Sequence, residues 1–168
     1  MEAMQYIENR TYDEIQVGDS ATLVRTLKPQ DIQLFAIMSG DVNPTHVDPE
    51  YAKSGLFREV IAHGMWGGAL ISTVLGTQFP GPGTIYIDQT LHFSRPVGLG
   101  DTITVTLTAT RKFDHNHHIL FDCVCTNQDG QKVIRGTAAV LAPTEKIKRA
   151  RTALPEATPP DRGAPHPH

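Results

Sequence analysis

The highest density of chemically useful side chains lies between residues 39 and 49, in the run SGDVNPTHVDP. Asp41 and His46 are five residues apart across Pro44, whose ring stiffens the chain between them. A carboxylate and an imidazole that face one small volume can hold a water molecule, remove a proton from it and return a proton elsewhere. We therefore expect acid–base chemistry on a bound water, because no Ser or Cys has a spacing that suggests a nucleophile.

The same loop allows two other interpretations. A calcium loop of the EF-hand type that begins at Asp41 needs Gly where His46 stands and Glu where Ala52 stands, so that interpretation fails. A purely structural turn, stabilised by Asn43 and stiffened by Pro44, remains open.

A second polar element, the run from Ala62 through His63 and Gly64 to Met65, stands at the start of an apolar helical pattern. A glycine in the first helical turn leaves backbone N–H groups exposed at the positive end of the helix dipole. Such groups can donate to an anion or to the developing oxyanion of a thioester enolate. The alternative, that Gly64 permits close packing and that His63 caps the helix, stays open at this point.

The surrounding pattern predicts the elements that position these groups. Pro29 and Gly40 bound one predicted helix, and an almost wholly apolar run from His63 to Gln78 predicts a second helix that is buried on all sides. Alternating segments predict strands at 21–27, 85–93, 102–109, 118–126 and 132–141, with an Asp129-Gly130 turn before the last strand. Five mostly antiparallel strands around one helix make an α+β fold, whose uncovered surface predicts pairing with a second copy.

Length, proline content and charge restrict the domain organisation and the partners. A chain of 168 residues suggests one domain, which we place at residues 5–142. Six of the 12 prolines lie in residues 143–168, where we expect a disordered tail or linker that includes the basic run at 146–151. Residues 1–142 carry ten basic and fifteen acidic side chains, a net charge of −5, which argues against a nucleic-acid partner.

The remaining composition predicts a cytoplasmic protein with no membrane span. No helical run reaches the roughly 20 apolar residues that a bilayer requires, and the amino terminus has no basic segment followed by an apolar run. Two cysteines do not make a disulfide scaffold. Cys123 and Cys125 face the same way on one predicted strand and are expected to be small buried residues, while His115, His117 and His118 are expected at a solvated hairpin tip, so we predict no metal site.

Several segments together have the order and spacing of a known motif. They are the runs 39–48 and 61–65, the strand with Tyr86, Gln89, Leu91 and Phe93, and the turn from Arg95-Pro96-Val97-Gly98 to Gly100-Asp101. The chain resembles the MaoC-like (R)-specific enoyl-CoA hydratases over about residues 10–142. Within that family, the nearest likeness is to the hydratase-like region fused to phosphate acetyltransferases in some bacteria.

The resemblance implies a hot-dog fold, in which an antiparallel sheet wraps around a central apolar helix. It also implies a homodimer without a cofactor, in which the acyl-thioester site lies near the subunit interface. Asp41 and His46 would then be the catalytic pair that holds the water, the Gly64 N–H would donate to the thioester oxygen, and Asn43 would orient the loop.

The expected activity is that of a hydro-lyase that adds water reversibly to trans-2-enoyl-CoA to give (R)-3-hydroxyacyl-CoA. The alternatives are a 3-hydroxyacyl-acyl-carrier-protein dehydratase and a non-catalytic acyl-thioester-binding module. We expect the acyl chain to run along the central helix, where Trp66 shares a broad stripe with Ala69 and either narrows the cavity or packs into the core. The predicted substrate-binding residues are Asn43, His63, Met65, Trp66, Ala69 and Ser72.

Overall fold

The computed structural model describes residues 6–155, which form four α-helices, one short 3₁₀-helix (Tyr12–Glu14) and eight strands. The helices are α1 (Pro29–Ser39), α2 (Pro44–Val47), α3 (Pro49–Ser54) and α4 (Gly64–Thr77). The strands are β1 (Tyr6–Glu8), β2 (Ser20–Thr26), β3 (Ile85–Gln89), β4 (His92–Phe93), β5 (Thr102–Phe113), β6 (His118–Thr126), β7 (Lys132–Leu141) and β8 (Lys148–Ala150). No helix among these residues is long and apolar enough to cross a membrane.

A six-stranded antiparallel sheet wraps around α4 in the hot-dog arrangement. Its strand order is β2-β5-β6-β7-β3, and β4 pairs with β7 beside β3. The predicted α+β class and the antiparallel sheet around a central helix are therefore confirmed. The ends of β6 and β7 agree with the sequence prediction, because the alternation of side chains specifies them. The two residues that bound α1 agree as well, because Pro29 favours a helix start and Gly40 a helix end.

The core lies between α4 and the inner face of the long strands. Ile103, Val105 and Leu107 of β5 are each no more than 1% exposed, while the threonines between them face outward. They pack in one cluster with Ile71 and Val74 of α4. Each buried aliphatic side chain of this kind contributes about 1.5–3 kcal/mol, so the alternation fixes α4 against the sheet.

One side of α4 is open, so the prediction of a helix buried on all sides is wrong for the single chain. Met65 is 54% exposed, and Ala69 and Ser72 are exposed as well. The edge strand β3 lies on the same side and also exposes Ile85 and Ile87. An apolar pattern predicts that a helix face is covered, but it does not show whether the same chain or a second copy covers it.

The predicted strand at 85–93 is divided in two. The pairing of β3 with β7 shifts register between Tyr86 and Asp88, and residues 90 and 91 separate β3 from β4. The backbone of Thr90 approaches Gly136 of β7 so closely that a Cβ at that glycine would overlap the Thr90 carbonyl oxygen. This close approach of two backbones leaves no room for a side chain at Gly136.

The predicted domain boundary at residue 142 is too early, because the chain remains packed as far as β8. Asn9 is 1% exposed and donates from its side chain to the Glu145 carbonyl at 2.8 Å, and it accepts from the Ile147 N–H at 2.9 Å. β8 pairs with β1, and the Lys146 ammonium lies 3.0 Å from the Glu14 carboxylate. The rest of the predicted tail, residues 156–168, lies outside the described residues.

Candidate active site

The loop that carries Asp41 begins where α1 ends. Gly40 closes the helix with a left-handed φ of 78°, and its N–H donates to the Ala36 carbonyl at 2.8 Å. The Asp41 N–H then donates to the Ser39 hydroxyl at 3.2 Å, and its carboxylate accepts from the Asn43 N–H at 3.1 Å. These two hydrogen bonds fix the conformation of residues 39–43, in which the Asp41 side chain is exposed.

His46 lies on the one-turn helix α2, which the sequence pattern did not predict. The Asn43 side chain accepts from the Thr45 N–H at 3.1 Å and so caps this helix, and Pro44 supplies its first residue. The structural role predicted for Asn43 and Pro44 is therefore confirmed, because the two residues begin the helix that carries His46. Among the described residues, the Asn43 side chain bonds only to the Thr45 N–H. Its predicted contact with substrate stays a prediction.

The tautomer of His46 follows from its hydrogen bond. Nδ1 lies 2.8 Å from the Ile61 carbonyl oxygen, which can only accept, so Nδ1 carries the hydrogen. In the neutral ring, Nε2 then holds a lone pair. This nitrogen can accept a proton from a bound water.

Asp41, His46 and His63 come together in the fold. One ligand-type atom from each lies within 4.8 Å of the others. The rings of His46 and His63 are stacked, with centroids 4.2 Å apart and an angle of 29° between their planes. His46 Nδ1 and His63 Nε2 each lie within hydrogen-bond distance of a main-chain carbonyl oxygen, so one nitrogen of each ring is already engaged. The cluster brings a carboxylate close to an imidazole, which are groups that can transfer protons to and from a bound water.

The amino terminus of α4 opens beside this cluster. The N–H groups of Gly64 and Met65 have no hydrogen-bond partner among the described residues, and the first-turn residue Gly64 is exposed. A Cβ at Gly64 would lie 3.2 Å from the Phe93 ring, so glycine also permits close packing here. His63 stands at the N-cap position, but its side chain makes no capping hydrogen bond, so the alternative in which His63 caps the helix is wrong.

A first cavity of about 320 Å³ contains the ring of His46 and the backbone of Gly64 in its wall. Trp66 is 7% exposed and belongs to the core, and it also lines this cavity. Arg95 lines this cavity as well. The other large wall residues are apolar: Phe57, Phe93, Val97 and Ile134. Arg95 lies in the turn that carried the family resemblance, but the sequence did not assign it to the site.

A second cavity of about 540 Å³ runs along the open side of α4, where Met65, Ala69 and Ser72 line it opposite β3. Trp66 does not share this wall, so the expected common stripe of Trp66 and Ala69 divides between two cavities. Sequence periodicity gives the angle of a side chain around a helix, but it does not show which neighbouring segments complete the wall of each cavity.

Tyr86 and Gln89 of β3 also line the second cavity, and the sequence had indicated them only as part of the family resemblance. The Tyr86 hydroxyl donates to the Gln89 side-chain oxygen, and the Gln89 amide lies 3.9 Å from the Cys123 sulfur. Burial raises the pKa of Tyr86 to about 12, so the phenol stays protonated at neutral pH.

The other candidate residues lie elsewhere. His115 and His117 are exposed in the turn between β5 and β6, as predicted for a hairpin tip, whereas His118 is half-buried and begins β6. Cys123 and Cys125 are fully buried on β6, as predicted, and burial raises the pKa of their thiols to about 11 and about 12.

The sequence and the fold both match known proteins. Residues 14–124 match the family described as MaoC like domain. The (R)-specific enoyl-CoA hydratase of Rhodospirillum rubrum is 45% identical over 132 residues, which cover 79% of this chain and 91% of that protein. The 3-hydroxybutyryl-CoA dehydratase of Methylorubrum extorquens is 35% identical over 135 residues, which cover 80% of this chain and 85% of that protein.

Among solved structures, the unliganded R-hydratase PhaJ1 from Pseudomonas aeruginosa superimposes with a TM-score of 0.87 at 43% identity, over 91% of this chain and 98% of that chain. A nearer kinship to the hydratase-like region fused to phosphate acetyltransferases is not tested by these matches and stays a prediction. The family match spans most of the folded chain, and the relatives are covered almost throughout. The chain therefore belongs to the MaoC-like family of hot-dog hydratases and dehydratases.

Proposed function

We propose that this enzyme, of the enoyl-CoA hydratase type, adds water reversibly to trans-2-enoyl-CoA and forms (R)-3-hydroxyacyl-CoA. One observation carries the proposal: a carboxylate oxygen of Asp41 lies within 4.8 Å of a ring nitrogen of His46, and His46 shares a cavity wall with Gly64, whose N–H has no partner among the described residues. Two proton acceptors and an oxyanion donor are the groups that hydration of an α,β-unsaturated thioester requires.

In the proposed mechanism, Asp41 and His46 Nε2 hold the water between them. One of the pair takes a proton from the water while its oxygen forms a bond to C3 of the substrate. The C2–C3 π electrons move toward the thioester oxygen, which accepts a hydrogen bond from the Gly64 N–H. A proton from the pair then goes to C2, so that one water has been added and the enzyme regains its initial state.

The two cavities suit the two ends of such a substrate. We place the acyl chain in the second cavity, along Ala69 and Ser72, because its wall follows the open face of α4. The pantetheine arm then passes through the first cavity, where Arg95 supplies a cation to an otherwise mainly apolar wall. Met65, the second residue of α4, lines the second cavity and would then contact the substrate near the reacting carbons.

We propose that a second copy of the chain covers the open face, so that the acyl chain in the second cavity lies near the interface of the two copies. Met38, Met65 and Ile87 line the second cavity and are 71%, 54% and 50% exposed. β3 has no pairing partner on its outer edge among the described strands, so the same face also offers unpaired backbone groups. A homodimer would cover both, and sedimentation should show a dimer at micromolar concentration, whereas a well-folded monomer would contradict this assignment.

The proposed location is the cytoplasm. Cys123 and Cys125 are both free thiols, the state that a reducing compartment maintains.

The experiment that tests the function compares turnover of trans-2-enoyl-CoA with that of the same acyl group on an acyl carrier protein. Loss of the enoyl-thioester absorbance measures hydration, and coupling to an (R)-specific dehydrogenase identifies the product. Formation of (R)-3-hydroxyacyl-CoA supports the proposal. A strong preference for the carrier protein would indicate the dehydratase alternative, and tight binding without turnover of either substrate would indicate a binding module.

A further inference from the structure

His63 is the most buried polar group of the site, and its hydrogen bond leads to Asp41. The side chain is 3% exposed, and Nε2 lies 2.9 Å from the main-chain oxygen of Asp41, 22 residues earlier in the chain. The ring is held between two others: Phe35 of α1 at 4.7 Å and His46 of α2 at 4.2 Å between centroids. His63 therefore connects α4 with both elements that carry the proposed catalytic pair.

The hydrogen bond defines the protonation of this ring. A carbonyl oxygen only accepts, so Nε2 of His63 carries the hydrogen. Nδ1 is buried and has no partner among the described residues. The bond to Asp41 is therefore the only hydrogen bond of this ring among the described residues.

Neither nitrogen of His63 is available to bind a substrate. Nε2 is engaged by Asp41, and Nδ1 is inaccessible to solvent. Only the ring surface can contribute to the wall of the first cavity. The predicted role of His63 in substrate binding is therefore limited to shape, and its polar contact serves another residue.

Among the described residues, the bond from His63 is the only hydrogen bond that joins Asp41 to the start of α4. Asp41 makes three hydrogen bonds among the described residues, and the other two join it to Ser39 and Asn43 of its own loop. His46 has a separate attachment through the Ile61 carbonyl. Loss of the His63 bond would leave His46 in place but free the loop main chain, and with it the carboxylate, to move relative to His46.

We infer that His63 is a positioning residue, which holds the main chain of Asp41 through Nε2–H so that the carboxylate stays beside His46. The inference rests on the proposed function for its catalytic consequence. A positioning role predicts a loss in turnover without a loss in substrate binding, because the carboxylate acts on the water rather than on the thioester.

Two variants separate the hydrogen bond from the ring packing. His63→Phe retains an aromatic ring between Phe35 and His46 but removes the donor, whereas His63→Gln can place an amide N–H near the position of Nε2. We expect His63→Phe to lower kcat by about tenfold or more with KM within about twofold of wild type. We expect His63→Gln to recover kcat to within about threefold of wild type, although it lacks the ring. Circular dichroism and the thermal midpoint verify that both variants are folded.

The inference is overturned if His63→Phe retains wild-type kcat, or if both variants lose kcat equally. A measurement on the wild-type enzyme gives a second test that needs neither activity nor a folded variant. Nitrogen-15 NMR of the imidazoles should show His63 with its hydrogen on Nε2 and His46 with its hydrogen on Nδ1. A hydrogen on Nδ1 of His63 contradicts the inference. Failure of the proposed function looks different, since wild type would then hydrate no enoyl thioester at all.

Discussion

Chain-length selectivity tests whether the acyl chain lies along the open face of α4. Ala69 and Ser72 are small side chains on the wall of the second cavity, and leucine at either position fills part of that space. Octenoyl-CoA extends four methylenes beyond crotonyl-CoA, and each buried methylene contributes about 0.8 kcal/mol. If leucine displaces about two of them, octenoyl-CoA loses about 1.6 kcal/mol of binding in the transition state, which is somewhat more than tenfold.

The assay is the ratio of kcat/KM for octenoyl-CoA to that for crotonyl-CoA, measured for Ala69→Leu and Ser72→Leu. A ratio cancels losses that affect both substrates equally, such as a smaller fraction of active enzyme. Thr73→Leu is the matched control, because Thr73 is on the same helix but lines neither cavity. We expect the ratio to fall by about tenfold or more in the two cavity variants only. An unchanged ratio in both would show that the acyl chain lies elsewhere.

Two further predictions follow from ionisable groups outside the site. The hydrogen bonds from Thr11 and Lys146 lower the pKa of Glu14 from 4.5 to about 2, so its contribution to stability is complete above pH 4.5 and is lost as the pH falls toward 2. Thermal midpoints should therefore fall more steeply over that range in wild type than in Glu14→Gln, and parallel curves would refute the ion pair. Burial raises the pKa of Cys123 and Cys125, so neither thiol should react with a disulfide reagent at pH 8 until the protein unfolds, and rapid native labelling would contradict their burial.

The elements that the sequence predicted well are those whose own residues specify them. β5 alternates threonine with buried aliphatic residues, and α1 has Pro29 at its start and Gly40 at its end. The sequence also brought Asp41 and His46 together through the short, proline-stiffened loop. The spacing alone limits how far apart the two side chains can lie.

What the sequence did not predict depends on partners that are distant in the chain. β8 is ordered because it pairs with β1, more than 130 residues away, and a three-residue strand with two basic residues carries no local strand signal. The helix α2 has only four residues and exists because Asn43 caps it. His63 was visible as part of a motif, but its contact with the Asp41 carbonyl is a property of the fold, because α4 and the loop approach each other only in three dimensions.

Hydration of crotonyl-CoA by wild type, Asp41→Asn and His46→Gln tests the central claim most directly. Each substitution replaces a proton acceptor with an amide of similar size, so the fold should persist while acid–base catalysis worth roughly 10²–10⁴-fold is lost. We expect wild type to consume the enoyl thioester and both variants to lose at least about a hundredfold in kcat. Wild-type turnover in either folded variant would contradict the assignment of Asp41 and His46 as the groups that act on the water.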